Sequence, residues 1–132
     1  MHTWCHEPAP RLLLRGIEQF NRGDYFEQHE TLEELWNAES REVRRLYQGI
    51  LQIGVAMHHV KRGNHHGAVY MLTRGSWYLQ PFTPRCQSVD VGDLLAQAAR
   101  VLESVEQLGR ASLGRFDWSL APRVHLVDPP TH

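Results

Sequence analysis

His29-Glu30-Thr31-Leu32-Glu33 reads HExxE. On a helix, side chains four residues apart project in nearly the same direction, so His29 and Glu33 can be aimed at one ion or one substrate. The spacing is that of the zinc motif HExxH with a carboxylate in place of the second imidazole, and Glu30 stands where that motif keeps its general base. A carboxylate-rich set with few imidazoles favours a divalent iron, manganese or magnesium ion over structural zinc. Further ligands are expected from a later helix, where Gln48, Gln52 and His59 fall in one row on a helical wheel and His58 lies on an adjoining arc. The metal reading therefore names His29, Glu33 and His59, and an enzymatic reading makes Glu30 and Glu33 the catalytic carboxylates. The plainer alternative is a hydrogen-bonded core histidine whose second nitrogen is held by Glu33.

These residues need helices to position them. On a helical wheel His29 and Glu33 fall between Leu32 and Trp36 on one side and Phe26 on the other, which predicts that both share the apolar face while Glu30 and Glu34 point to solvent. Apolar spacing and punctuation by Pro, Gly, Asp, Ser and Asn predict helices over about 10–21, 24–38, 41–62, 65–79 and 90–108. Asp24 with Glu27 has the form of a capping box, Ser40 is the expected cap of the third helix, and Gly109 the expected end of the fifth. No strand pair is evident. The fold expected is all-α: a compact antiparallel bundle of about five helices built on helical hairpins, with no sheet. Residues 1–9 form a frayed N-terminus, 10–110 the helical domain, and 111–132 an extended tail packed in part on it.

A weak internal repeat accompanies these helices. Arg22-Gly23-Asp24 and Arg62-Gly63-Asn64 stand in the same relation as Phe20 and Val60 or Leu32 and Leu72. Both units read helix, tight turn, helix, in the manner of tetratricopeptide hairpins; two are too few for a solenoid.

Composition limits the function. Fourteen Lys and Arg balance fifteen Asp and Glu without a long run of either sign, so there is no electrostatic footprint for nucleic acid or an anionic membrane. No apolar run is long enough to span a bilayer and no signal core opens the chain, and Cys5 and Cys86 fit no disulfide-rich pattern. Two free thiols in a soluble cytoplasmic protein are expected. Glycines are isolated, so no phosphate loop is present, and apart from Cys5 beside His6 no serine or cysteine adjoins a histidine in sequence.

Phe20-x-x-Gly23-x-Tyr25-Phe26-x-x-His29-Glu30-x-Leu32-Glu33-x-x-Trp36, Tyr47-Gln48-Gly49-Ile50-x-Gln52, His58-His59 and Arg62-Gly63-Asn64-x-x-Gly67-Ala68 together resemble the prokaryotic family known as domain of unknown function 309. The resemblance covers the first two thirds of the chain. It implies an all-helical fold of about five helices and family residues at His29, Glu30, Glu33, Trp36, Gln48, Gln52 and His59, and it implies no activity. The resulting expectation is a polar pocket between the second and third helices, with His29, Glu33, Trp36, Gln48, Gln52 and His59 binding a divalent metal ion or a small polar ligand. The rival expectation is a non-enzymatic interaction module that meets a partner helix or a second copy of itself, as a homodimer, through Tyr70 and Trp77 on the outer face of the fourth helix.

Overall fold

Two near-identical turns set the path of the first four helices. In a computed structural model, which describes residues 2–127, α1 (Arg11–Asn21) and α2 (Tyr25–Ala38) are joined through Gly23, and α3 (Arg44–Lys61) and α4 (His65–Leu79) through Gly63. Each glycine has a left-handed φ, +81° and +75°, which L side chains rarely adopt. The hydrogen bonds repeat as well. The Gly23 amide donates to Phe20 O and the Asp24 amide to Gln19 O, while Gly63 donates to Val60 O and Asn64 to His59 O. The repeat seen in the sequence is thus a pair of equivalent helix ends. The caps that follow differ: Asn64 accepts from the Gly67 amide at 2.9 Å, whereas Asp24 caps nothing with its side chain and pairs with Arg22 at 3.1 Å. The expected capping box does not form, because an adjacent guanidinium takes the carboxylate.

Sequential helices pack on one another, and α3, buried on most of its circumference, is the central one. Where α3 crosses α4, Gly49 and Gly75 face each other: a Cβ added at Gly75 would lie 3.0 Å from Gly49 O and 2.9 Å from Ile53 Cδ1. Leu13, Phe20, Leu32, Tyr47, Ile50, Ile53, Met57 and Leu72 are fully buried between these helices. α3 begins later than Ser40 predicts, with Val43 at the cap and no side-chain bond there. α5 (Val91–Ser112) is capped by Asp90, whose carboxylate accepts from the Asp93 amide at 3.0 Å, and it continues past Gly109 through a kink at φ +69°. Gly109, at φ +69° and ψ −178°, leaves the helical region and so ends the regular helix as expected, with a last helical turn to Ser112 beyond it.

Three expectations fail near the ends of the chain. A short antiparallel ladder, β1 (Arg85–Cys86) with β2 (Val89–Asp90), lies before α5, and Val89 also bridges Leu126, so the fold is all-α apart from this ladder. Two-residue strands carry no alternating pattern that a sequence reading can detect. Residues 3–6 do not fray: they form a 3-10 turn joined to β1 by a disulfide between Cys5 and Cys86. The free-thiol reading is overturned, and with it the argument for a reducing compartment. Of the expected tail, 128–132 lies outside the described residues. No described helix is long and apolar enough to cross a membrane.

A buried amide reinforces the junction of the N-terminus with β1. The Gln87 side chain is 1% exposed, accepts from Tyr47 Oη at 2.7 Å and donates to Trp4 O at 3.2 Å, while its own amide donates to Cys5 O at 2.7 Å. Burial pushes the Tyr47 phenol up to about 12, so it remains a hydrogen-bond donor at neutral pH. Farther along, Arg41 clasps both Glu7 and Glu39, and that hydrogen bonding holds the Glu39 carboxyl below its ordinary value.

Candidate functional site

The buried stripe of α2 is Tyr25, Gln28, Thr31, Leu32 and Leu35. On the wheel its centre falls near Gln28 and Leu35, not near Trp36, which moves His29 and Glu33 from the apolar face to its flank. Phe26, which is 59% exposed, draws a sequence reading the wrong way, and Gln28, fully buried, is discounted for being polar. His29 Nε2 and Glu33 Oε2 are 3.2 Å apart, with side chains 43% and 48% exposed. They pair with each other at the surface and form no enclosed centre. Glu30 is exposed.

Gln28 is the polar residue that α2 sends into the core. Its Nε2 donates to Leu51 O at 3.2 Å and its side chain lies on Gly54, where any Cβ would overlap it. The signal for it was present: Gln28 stands four residues before Leu32, and α3 carries a glycine at the matching level. At the other end of the same interface the Arg44 guanidinium lies 5.5 Å over the Trp36 ring. α2 and α3 are therefore antiparallel, with Trp36 on the α3-facing side.

The expected row on α3 is real but unequal in its surroundings. Gln48 is buried and accepts from Arg45 Nη1 at 2.6 Å; the Arg45 guanidinium in turn sits 5.4 Å over the Tyr78 ring on α4. Gln52 and His59 are half-buried. His59 Nδ1 is 3.3 Å from Asn64 Nδ2, and burial, assisted by neighbouring His58, lowers the His59 pKa. Arg44 thus leans toward α2 and Arg45 toward α4, and the polar strip of α3 floors a seam between them. Along this seam Trp36 Nε1, Arg44 Nε and Gln52 Oε1 are buried without a hydrogen-bond partner among the described residues, as is Gln28 Oε1 behind it. An unpaired buried donor or acceptor costs ~1–3 kcal/mol, so these are the seam atoms that an added partner would stabilise most.

The geometry does not gather His29, Glu33 and His59 into one metal-binding set: the described residues hold no group of three or more His, Cys, Asp or Glu side chains placed for an ion. Three cavities among the described residues are lined by none of the residues named from the sequence as site residues. Tyr70 and Trp77 are 47% and 70% exposed on α4, and α5 does not cover them. Trp77 and Tyr78 instead border a cleft of about 540 Å3 shared with His2, Trp4 and Phe82.

Five helices, two of their hairpins closed by the same glycine turn, and a polar seam along the central helix define a helical-hairpin protein. Residues 13–71, from the first turn of α1 to the middle of α4, match the family described as Domain of unknown function (DUF309), the family that the HExxE, Gln-Gly and Gly-Asn-x-x-Gly-Ala motifs indicate. The chain is similar to the uncharacterized protein YpuF of Bacillus subtilis (strain 168), 35% identical over 101 residues, covering 74% of this chain and 58% of that relative. An uncharacterized protein of Aquifex aeolicus (strain VF5) is 25% identical over 96 residues, covering 72% of this chain and 29% of its own length. The chain thus spans less than two thirds of either relative.

Proposed function

We propose that the protein is a binding protein built as a helical-hairpin bundle, and that its α2–α3 seam takes a small polar ligand bearing a carboxylate. The observation that carries this reading is the set of buried, partnerless atoms on the seam: two donors, Trp36 Nε1–H and Arg44 Nε–H, beside each other, and an acceptor, Gln52 Oε1, two turns away. Two N–H groups, one on a guanidinium, match the two oxygens of a carboxylate. Gln52 Oε1, with the His29–Glu33 pair on the facing helix, suits a donor at the ligand's other end. An organic ligand fits better than a metal ion, because His29 and Glu33 supply only two ligands between them. Nothing in this chemistry requires catalysis, and Glu33 acts in binding.

The test is a titration followed by the Trp36 indole N–H resonance, assigned by its loss in Trp36→Phe. Free amino acids and short dicarboxylates are the probes. A saturable downfield shift that disappears in Arg44→Met and weakens in Gln52→Leu is expected. An indole that none of these molecules moves at millimolar concentration refutes the reading.

One observation favours the interaction reading as well: Trp77 keeps 70% of its surface in solvent beside an aromatic cleft, an arrangement that anchors protein contacts. Light scattering tests its self-association form. A dimer that Trp77→Ala converts to monomer supports that form, and a monomeric wild type at high concentration removes it.

A further inference from the structure

A cavity of about 690 Å3 lies at the α1–α2 turn, away from the seam, with the C-terminal tail along one side. Arg22, Lys61 and Arg123 bring three cationic groups to its wall, against one carboxylate, Asp24. Arg22 is already neutralised between Glu18 and Asp24, both at 3.1 Å. Lys61 has no ion pair among the described residues, and Arg123 gives one N–H only to a neutral carbonyl, Asn21 O, at 3.3 Å. Tyr25 also lines the cavity: it is 5% exposed, and its hydroxyl has no hydrogen-bond partner among the described residues. The hydroxyl oxygen is not among the fully buried atoms that lack a partner, so it opens to the cavity and can donate to an acceptor there.

The placement of Arg123 is built, not incidental. Gln97 holds its backbone at both ends, accepting from the Arg123 amide at 2.9 Å and donating to Arg123 O at 2.8 Å. Asn21 does the same for the next residue, accepting from the Val124 amide at 2.7 Å and donating to Val124 O at 2.9 Å. Two amide side chains thus fix residues 123 and 124 as an added strand would be fixed. The helix-end carbonyls bordering the space are occupied, Asn21 O by Arg123 and Val60 O by Gly63. Two unneutralised cations and an unpaired phenol call for an anion of about two charges. The volume exceeds what a bare anion needs and falls in the usual range of small-molecule sites, roughly 300–1,000 Å3. Trp118, 43% exposed on the same wall, offers its ring to a planar group.

We propose that this cavity binds a phosphomonoester of a planar organic group. The phosphate sits between Lys61 and Arg123 and accepts from Tyr25, and the planar body lies against Trp118. The tail, which lies beyond the family-matched segment, completes the site.

Adenosine 5′-monophosphate, adenosine and inorganic phosphate are the probes, titrated into the full chain and followed by calorimetry and tryptophan fluorescence. The nucleotide should bind saturably and change the emission of Trp118, a response lost in Trp118→Phe. Lys61→Ala and Arg123→Ala, both exposed positions that leave the helices intact by circular dichroism, should each weaken it about tenfold. Adenosine and inorganic phosphate should each bind more weakly than the nucleotide. No saturable nucleotide binding, undiminished affinity in both variants, or phosphate binding as tightly as the nucleotide overturns the proposal. Arg44→Met and Gln52→Leu should leave this binding unchanged, which separates its failure from failure of the seam.

Discussion

Reducing the Cys5–Cys86 bond should cost the protein a large part of its stability. The bridge joins residues 81 apart in sequence, and the chain-entropy relation for closing a loop of that length gives about 4.5 kcal/mol at 25 °C. That figure is an upper bound here, because residues 2–7 can peel away locally once the bond is open. What then remains in place are Arg41's pairs with Glu7 and the Gln87 bonds to Trp4 and Cys5. Against a typical total of about 5–15 kcal/mol, a loss of even half the bound moves the urea midpoint clearly. The comparison is urea unfolding of the oxidised protein, the same protein with dithiothreitol, and the Cys5→Ser, Cys86→Ser double variant. The last two should coincide, at a lower midpoint and with a steeper slope, since an uncrosslinked unfolded chain exposes more surface. Identical midpoints in all three, or two titratable thiols in the denatured, unreduced protein, would refute the reasoning.

Other perturbations test the packing and the polar groups. Gly75→Ala places a methyl against the Gly49 carbonyl, which cannot yield, and should destabilise by about 1–3 kcal/mol, lowering Tm by roughly 3–5 °C per kcal/mol, whereas Gly114→Ala meets nothing within 4 Å and should be neutral. Tyr47→Phe strands the Gln87 carbonyl oxygen, which is buried, and should cost ~1–3 kcal/mol by denaturant titration. The His59 pKa is lowered by burial and by His58, so the unfolded chain takes up this proton first on acidification. Its stabilising effect is present above the unfolded value near 6.5 and declines as pH falls from there toward the folded value. His59→Gln should therefore flatten the fall in Tm between about pH 7 and 5 relative to wild type; an unchanged profile would show that His59 is not the group responsible. Mass-spectrometric metal analysis of untagged protein should find no stoichiometric ion that His29→Ala removes, and finding one would restore the metal reading.

The family-matched part of the fold was legible because its signals are local. Helix α4 runs over the residues its periodicity predicts, and the turns at Gly23 and Gly63 need a left-handed backbone that only a few residue types supply cheaply. Asn64 and Asp90 cap where a short acceptor precedes an apolar stripe. The candidate site was legible as a set of residue types but not as a geometry. His29 and Glu33 are paired, as their spacing requires, yet which side of α2 faces inward is decided by what packs there. The inward direction is fixed by Gly54, which leaves room for Gln28, and by Leu32 and Leu35; it turns the HExxE pair outward.

What only the tertiary structure decided joins residues far apart in the chain. Cys5 meets Cys86, Tyr47 meets Gln87, and Asn21 and Gln97 fasten the tail at Val124 and Arg123. Periodicity carries no record of such pairings, because each depends on where two separate segments arrive after the core has formed. A helix is specified by neighbours within a turn, so sequence alone determined the helices and their turns. A site is specified by groups brought together from different segments, so the seam, the clamp on the N-terminus and the cavity under the tail were left to the packing.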